Sequence, residues 1–394
     1  MKVLLRVSAI AALTLVLAVF GMAQNYNQTN LVSNTAGVAP VTDPQLINSW
    51  GISRGSGSPW WVSDNQTGLS TLYNGLGAKQ SLIVTIPPAD PTKTPTGSPT
   101  GTIFNASQTD FLLAPGRPAT FLFCTIDGTI AGWNANVAVA QGAAPPSTHA
   151  VTVVKMTDGS AYTGLTSASI NGKLYLYAAN FNLGRVDVFD NAFHPVRLQA
   201  DANNSDRGSD GHSFVDDHLP RDYVPFNVQA IGDDIVVTYA LHQQGSKFET
   251  DGPGFGYVDI YSSTGELLLR LEHGDWLNAP WGVALAPLDF GFFSHDLLIG
   301  QFAGGGDTQS SGFIAAYDLA TGRFVGLLQN ASGNPLAING IWALSPGNVS
   351  PTNNDPAAAP AAEMYFTAGP NHGAGGLLGY LTPVPAELTE GNDQ

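Results

Sequence analysis

Polar side chains that could bind a metal ion follow six apolar runs in this sequence. They are Asp64-Asn65, Asp127, Asn180, His242, Gln301 and Asn371-His372. Carboxylate and amide oxygens are the ligands that Ca²⁺ prefers, and a bound cation can polarise a carbonyl group and activate water. If the six segments meet in the fold, Asp64 and Asn180 are the expected Ca²⁺ ligands and His242 is the expected base. The alternative is that these residues only cap strand ends, because turns also favour Asn and Asp.

Aromatic residues form a second candidate site. Trp50, Phe226 and Trp281 occupy equivalent positions in a repeated motif, and Trp342 lies close to the same position. Rings placed in this way predict a stacking platform for a sugar or another flat-faced ligand. The polar candidates beside them are Gln301, Asn371 and His372. Packing between neighbouring repeats is the competing interpretation, and equivalent positions in several repeats favour it.

An acidic insertion, residues 201–222, is the third candidate. Its polar residues are Asp201, Asn203, Asp206, Asp210, His212, Asp216, Asp217 and His218. The insertion begins like a calcium loop, but Asp206 and His212 stand where such a loop needs glycine and glutamate. The sequence therefore favours a solvated acidic loop over a metal site.

A repeated motif of strands determines how these residues must be placed. It recurs six times, and its openings are Trp50-Gly51-Ile52, Thr100-Gly101-Thr102, Thr163-Gly164-Leu165, Phe226-Asn227-Val228, Trp281-Gly282-Val283 and Asn339-Gly340-Ile341. Each opening is followed by an apolar strand, a glycine turn, a third strand with an aromatic residue and usually a fourth strand. Repeats of four antiparallel strands predict the blades of a six-bladed β-propeller. Glycine or asparagine at the common place predicts a backbone bend with positive φ.

The last repeat lacks a fourth strand, because Leu381 is followed by Thr382-Pro383-Val384-Pro385 and proline cannot donate to a ladder. The apolar segment Thr29 to Ser33 precedes the first repeat. We expect it to pair with the last blade and close the ring, so that no sheet edge stays open. A disordered N-terminus on an open ring is the alternative.

The extreme N-terminus predicts export. Lys2 and Arg6 precede an apolar run that ends at Gly21-Met22-Ala23, which is typical of a cleaved secretory signal over residues 1–23. Residues 24–394 then form one propeller domain with a polar C-terminal tail, secreted to the periplasm or medium and without membrane insertion. The single cysteine, Cys124, excludes an intramolecular disulfide. The net charge of −16 argues against nucleic acid as a partner.

Four segments resemble known propeller repeats. Gly184-Arg185-Val186-Asp187-Val188-Phe189-Asp190 and Ala279-Pro280-Trp281-Gly282-Val283-Ala284 are similar to the blades of six-bladed NHL-like propellers. Tyr223-Val224-Pro225-Phe226-Asn227-Val228-Gln229 and Tyr365-Phe366-Thr367-Ala368-Gly369-Pro370 resemble an uncharacterised family of secreted bacterial propellers, some of which carry a PEP-CTERM-type sorting tail. The resemblance implies the fold and no activity. The polar end of this chain, Glu387 to Gln394, differs from such a tail.

The sequence therefore predicts a secreted, monomeric propeller that binds a small molecule, glycan or protein at one mouth of its central channel. A divalent-metal-dependent hydrolase or lactonase at the same mouth is the alternative. Six-bladed lactonases resemble this chain in architecture only, and Asp64 would have to replace their first-blade glutamate. Gly51-Ile52-Ser53-Arg54-Gly55 matches the Gly-x-Ser-x-Gly pattern of hydrolases, but no helix is predicted after it, so the match is attributed to chance.

Overall fold

The regular secondary structure of the described residues is almost entirely β-strand. The computed structural model describes residues 25–198, 213–243, 246, 248–302, 312–347 and 363–384. Within these ranges the one helical element is a 3₁₀ turn, Gly291–Phe293. None of the described residues belongs to a helix long and apolar enough to cross a membrane. The predicted signal sequence, the first part of the acidic insertion and the C-terminal tail lie outside the described residues.

The strands follow one another in the order expected from the repeats. Two strands precede the first blade: β1 (Tyr26–Ser33) and β2 (Val41–Thr42). The first blade contains β3 (Ser49–Ser53), β4 (Trp60–Asp64), β5 (Leu69–Tyr73) and β6 (Lys79–Thr85). The second contains β7 (Pro99–Phe104), a small hairpin of β8 (Leu112–Ala114) and β9 (Arg117–Pro118), then β10 (Phe121–Thr125), β11 (Thr129–Trp133) and β12 (Val151–Lys155).

The remaining blades repeat this pattern. The third contains β13 (Tyr162–Ile170), β14 (Lys173–Asn180), β15 (Arg185–Phe189) and the short β16 (Pro195–Val196). The fourth contains β17 (Tyr223–Ile231), β18 (Asp234–Leu241), β19 (Gly256–Ser262) and β20 (Leu267–Arg270). The fifth contains β21 (Pro280–Leu285), β22 (Leu297–Gln301), β23 (Ile314–Tyr317) and β24 (Phe324–Leu327). The sixth contains β25 (Ile341–Pro346), β26 (Met364–Ala368) and β27 (Leu377–Pro383).

These strands form the predicted six-bladed β-propeller. Every blade is an antiparallel sheet in which the first strand of the repeat is innermost and the last is outermost. The six innermost strands, β3, β7, β13, β17, β21 and β25, contact one another in sequence, and β25 contacts β3. They therefore surround a central channel, and the ring is complete.

The N-terminal strand closes the ring, as predicted. β1 pairs antiparallel with β27 from Tyr26 opposite Pro383 to Ser33 opposite Leu377, and so supplies the outer strand that the last repeat lacks. The pairing is longer than the predicted segment. β2 adds a short parallel strand outside β1.

The hydrophobic core is divided among the blade interfaces. One cluster joins Trp61 and Leu72 of the first blade to Phe121 and Phe123 of the second. Comparable clusters lie between each following pair of blades. The cluster between the sixth and first blades also extends into the channel. Strands such as β4 and β10 are buried along their whole length because a neighbouring blade covers each face.

The predicted reason for the repeated glycine is wrong. Of the six positions named from the sequence, Gly340 alone has a positive φ, +67°. The other glycines are required because neighbouring inner strands nearly touch. A Cβ atom on Gly51 would lie 2.5 Å from the backbone oxygen of Thr100, and one on Gly282 would lie 2.5 Å from that of Trp342. The strand pairing does leave one residue unpaired next to these positions. A shared β-bulge is therefore present, but without positive φ.

The same contacts correct the alignment of the sixth repeat. Gly51 approaches Thr100, the residue directly before the corresponding Gly101 of the next blade. Gly282 approaches Trp342 in the same way, so the corresponding residue of the last blade is Ala343, which follows Trp342. The equivalent set, called the ring positions below, is Gly51, Gly101, Gly164, Asn227, Gly282 and Ala343. Four of the six are directly preceded by an aromatic residue: Trp50, Phe226, Trp281 and Trp342.

Candidate functional site

One end of the central channel is closed by aromatic side chains. Trp50, Phe226, Trp281, Trp342 and Phe302 are each at most 7% exposed, and together they form what we call the aromatic plug. Trp342 stacks against Trp50 with ring centroids 3.7 Å apart and against Phe302 at 4.0 Å. Its centroid lies 5.9 Å from those of both Trp281 and Phe226. The three aromatic residues predicted to bind a ligand therefore all contact Trp342, and the stacking-platform hypothesis stays a prediction.

Hydrogen bonds hold two of these indoles in place. Trp342 Nε1 donates to Asn48 Oδ1 at 2.8 Å, and Trp281 Nε1 donates to the backbone oxygen of Thr163 at 3.0 Å. Because both polar atoms are paired, the rings combine a buried apolar surface with a fixed orientation. The plug is thus an ordered part of the fold.

Asp64, the first predicted metal ligand, lies at the end of β4 on the plugged side of the ring. Its carboxyl group is fully buried, and Oδ2 accepts hydrogen bonds from Thr71 N at 3.1 Å and Thr71 Oγ1 at 2.7 Å. Burial raises the pKa of Asp64 well above its usual value. A carboxyl group in this setting favours its neutral form, which is a poor cation ligand.

Asn180, the second predicted ligand, ends β14 and is also fully buried. Its Nδ2 donates to Ser160 Oγ at 2.9 Å and to Asp187 Oδ2 at 2.7 Å. Its Oδ1 accepts backbone N–H groups of Ala161 at 3.2 Å and Leu183 at 3.3 Å. This pattern is that of a strand-end cap.

No group of three or more His, Cys, Asp or Glu side chains in the described part of the chain is placed to hold a metal ion. Asp64 and Asn180 belong to different blades, and the contacts of each one lie largely within its own blade. The Ca²⁺ and hydrolase hypotheses stay predictions, which calcium titration would test.

The other polar candidates also lie on the plugged side. Gln301 is 1% exposed, and its Oε1 accepts the backbone N–H of Asn278 at 2.9 Å. The Nε2 atom of His242 lies 2.9 Å from the backbone oxygen of Ser246. Asn371 and His372 form an exposed turn in which both residues have positive φ. Gln301 therefore has a structural role, whereas His242 is half-buried and the turn is exposed.

The described end of the acidic insertion is anchored to the fourth blade. Asp216 is buried, and its Oδ2 accepts hydrogen bonds from Arg270 Nε at 2.7 Å and from Arg270 Nη2. Burial alone would raise the pKa of Asp216, but the Arg270 guanidinium outweighs it and holds the pKa below its usual value. The side chain of His218 is 83% exposed. The residues of the insertion before Ser213 lie outside the described residues.

At the opposite end of the channel, none of the described residues closes the mouth. There the C-terminal parts of the six innermost strands surround a cavity of about 440 Å³, which we call the open-mouth cavity. Its polar lining consists of Ser53, Thr102, Thr166, Ser167, Gln229 and Ser345. Apolar side chains such as Ile231 and the 37% exposed Leu285 complete its wall. All six blades contribute to this one site.

The cavity ends in a small compartment near the middle of the channel. This floor compartment has a volume of about 20 Å³, which is room for a group of about the size of one water molecule. Ile52, Thr102, Gln229, Val283 and Leu344 line both the cavity and the floor compartment. Trp281 of the plug also lines it. Within the described residues, the channel is therefore a blind pocket with one mouth.

Arg54 is the one charged side chain among the described residues that line the cavity. It is 7% exposed, and its guanidinium carbon lies 5.0 Å from the ring centroid of Trp60, a cation–π arrangement. The described lining includes no carboxylate, imidazole or thiol. It thus offers hydroxyl and amide groups that orient a ligand, but no acid–base pair for catalysis.

The sequence predictions named strand-end and aromatic candidates at the plugged end and an acidic insertion at the fourth blade, and they missed the open-mouth cavity. A signal for it was present. Two residues after the ring position, four blades carry a polar side chain: Ser53, Thr166, Gln229 and Ser345. The misaligned sixth repeat obscured this periodicity. Ser53 belongs to the Gly-x-Ser-x-Gly match, and the next regular element is the strand β4, so the match lacks the helix that a hydrolase elbow needs.

Comparison with known proteins supports the fold and identifies relatives. No family model matches the chain. A structural genomics protein of unknown function from Bacteroides thetaiotaomicron is 10% identical, with a TM-score of 0.52 over 91% of this chain and 76% of that chain. A likeness at this identity shows the propeller fold alone.

Two relatives by sequence come from Acanthamoeba polyphaga mimivirus. Uncharacterized protein R648 is 30% identical over 357 residues, which is 89% of this chain and 78% of the relative. Uncharacterized protein L690 is 31% identical over 361 residues, which is 89% of this chain and 84% of the relative. These matches cover most of both chains. The protein is therefore a six-bladed β-propeller that belongs to the same family as the mimivirus proteins R648 and L690.

Proposed function

We propose that this protein binds a small, polar, uncharged molecule in the open-mouth cavity. The observation that carries the proposal is the convergence of all six innermost strands on one blind pocket of about 440 Å³. Ligand sites typically have volumes of about 300–1,000 Å³ and combine apolar walls with a few polar groups. This cavity has both properties.

The chemistry of the lining supports an uncharged ligand. Hydroxyl and amide groups hydrogen-bond to neutral polar molecules without the desolvation cost that a buried charge carries. Arg54 disfavours a cationic ligand, and the net charge of −16 disfavours the approach of polyanions. Binding without chemistry agrees with the absence of carboxylate and imidazole groups from the described lining.

The test fills the cavity and measures binding. Ser167 lines the cavity, and Ser167→Trp should block it, whereas Ser332→Trp on an exposed turn is a matched control. The probes are ring compounds of similar size: myo-inositol, cyclohexanecarboxylate and cyclohexylamine. We expect calorimetry to show binding of myo-inositol to the wild type and to the control but not to the blocked variant. If none of the probes binds the wild type, or if Ser167→Trp binds them equally well, the proposal is wrong.

The place of action is a separate proposal. The charged and apolar pattern of residues 1–23 supports export to the periplasm or medium. In those places small sugars and polyols are available to an open pocket. N-terminal sequencing of protein recovered from the periplasm or medium would test it. A mature chain that still begins at Met1 would contradict export by a cleaved signal.

A further inference from the structure

One ring position differs from the other five. Gly51, Gly101, Gly164, Gly282 and Ala343 place at most a methyl group at this level of the channel, whereas the fourth blade has Asn227. Neighbouring inner strands approach too closely for larger side chains at most of these positions, because an added Cβ atom would meet the next strand at short distance. Asn227 therefore occupies room that the adjacent Gly164 leaves. A Cβ atom on Gly164 would lie 2.1 Å from Asn227 Oδ1.

A hydrogen bond sets the orientation of the Asn227 amide. Its Nδ2 donates to the backbone oxygen of Trp281 on the next inner strand at 2.7 Å. Because a carbonyl oxygen can only accept a hydrogen bond, the amide nitrogen of Asn227 must face Trp281, and its Oδ1 must point away from Trp281. Asn227 is 3% exposed and lines the floor compartment. None of the described residues donates a hydrogen bond to its Oδ1.

Gln229 supplies a second acceptor two residues along the same strand. Residues at this spacing are usually on one face of a strand, and Gln229 lines both the open-mouth cavity and the floor compartment. Its Nε2 makes one long contact, 3.4 Å, to the backbone oxygen of Ala230. Its Oε1 receives no hydrogen bond from the described residues. Both side chains therefore line the narrow end of the pocket, and each has an amide oxygen that no described residue donates to.

Amide oxygens that have no donor among the described residues suit a ligand that donates, because such a ligand gains a hydrogen bond at each of them. The floor compartment admits a group of about one water's size, which fits a hydroxyl. An ammonium group would also donate, but Arg54 places a positive charge on the lining of the same cavity. A carboxylate brings acceptors only. Of these groups, a neutral hydroxyl suits both the size and the charge.

We propose that Asn227 and Gln229 form a hydroxyl-recognition site at the floor of the open-mouth cavity, which selects sugars or polyols by accepting a hydrogen bond from one of their O–H groups. This inference rests on the proposed binding function and names the class of ligand. Asn227 determines the depth of the pocket, because it alone extends beyond a methyl group at the ring level. The hydroxyl groups of Ser53, Thr166 and Ser345 remain for the other oxygens of the same ligand.

The experiment compares myo-inositol with monodeoxyinositols, each lacking one hydroxyl group, on four proteins. Asn227→Ala removes the acceptor and introduces the residue that the sixth blade already has at this position. Gln229→Ala removes the second acceptor with an unchanged ring position. Asn134→Ala is the matched control, since it deletes an amide that donates to the backbone oxygen of Pro118 at 2.7 Å, away from the cavity. Calorimetry gives the affinity of each pair.

In the wild type and in Asn134→Ala, we expect one deoxy analogue to bind about tenfold more weakly than myo-inositol, because one hydrogen bond to the floor is lost. Asn227→Ala should bind myo-inositol itself about tenfold more weakly than the wild type does. The affinity of this variant for that deoxy analogue should be only slightly lower than its affinity for myo-inositol. Gln229→Ala should show the same pattern, which keeps the test valid if Asn227→Ala does not fold.

Two results would overturn the hydroxyl-recognition site while leaving the binding function in place. One is that cyclohexanecarboxylate or cyclohexylamine binds, is blocked by Ser167→Trp, and binds more tightly than myo-inositol. The other is that, relative to myo-inositol, every deoxy analogue binds Asn227→Ala and Gln229→Ala more weakly by the same factor as it binds the wild type. Absence of binding by all probes contradicts the proposed function itself.

Discussion

The fourth blade contains a pair of buried carboxyl groups that share one guanidinium, and this pair should make stability depend on pH. Arg270 Nε donates to Asp216 Oδ2 at 2.7 Å and lies 3.8 Å from Asp259 Oδ1. Tyr261 donates its O–H to Asp259 Oδ2 at 3.2 Å. Burial, and then repulsion by Asp216, raise the pKa of Asp259 to about 8. Folded Asp259 therefore keeps its proton at neutral pH.

The expected effect follows from the difference between the folded and unfolded states. In the unfolded chain an aspartate has a pKa of about 3.9. Between about pH 4 and pH 8 the folded protein binds one more proton at Asp259 than the unfolded chain, so the free energy of unfolding falls by about 1.4 kcal/mol per pH unit from this group. Asp259→Asn has no such proton, and its amide can still accept from Tyr261 and donate to Asp216. From pH 5 to pH 7 the variant should gain about 2.7 kcal/mol relative to the wild type.

Urea unfolding at pH 5, 6 and 7 measures this difference. Acids that do not interact with Asp259 titrate in the same way in both proteins, and the pKa of Asp216 lies below its usual value and so below this pH range; subtraction therefore removes their contribution. The exposed Asp289→Asn is the control, and its difference from the wild type should not change with pH. A difference between Asp259→Asn and the wild type that stays constant from pH 5 to pH 7 would refute the reasoning. It would mean that Asp259 is already ionised in the folded protein.

Two further predictions concern the ring. Gly51→Ala should lower the free energy of unfolding by about 1–3 kcal/mol in urea, because the added Cβ would lie 2.5 Å from the backbone oxygen of Thr100; a neutral substitution would contradict the close approach of β3 and β7. The amides of Thr29–Ser33 should exchange with solvent as slowly as those of β27, because the two strands form one ladder. Fast exchange confined to that segment of β1 would show that the N-terminal strand does not close the ring.

The blade count was predictable because the information is local. Each blade is a run of apolar strands separated by glycine or Asx turns, and these patterns are legible within about 50 residues. The missing outer strand of the last repeat also predicted its replacement by β1, since an exposed edge must be covered. The alignment of the last repeat was wrong by three residues, because Asn339-Gly340 imitates the opening of the other repeats and Ala343 does not.

The candidate site was harder to predict, since side chains of one type serve two purposes. Asp64, Asn180 and Gln301 are polar residues at strand ends, and the structure uses them as buried hydrogen-bond partners. Their sequence pattern is the same as that of a metal site. Only the identity of the neighbouring donors and acceptors distinguishes the two roles, and those neighbours come from across the strand ladder.

The sequence by itself determined the strands, their grouping into six blades and the closure of the ring, because these depend on hydrophobic pattern and turn chemistry along the chain. Tertiary structure alone decided which end of the channel is open. Trp50, Phe226, Trp281 and Trp342 come from four different blades, and they close one end because their rings meet at the axis. At the other end, smaller side chains such as Ser53 and Ser345 converge and leave a pocket. Whether side chains fill a channel depends on the summed volume of the side chains at one position along its axis. These side chains come from different blades, so no single segment of sequence contains this information.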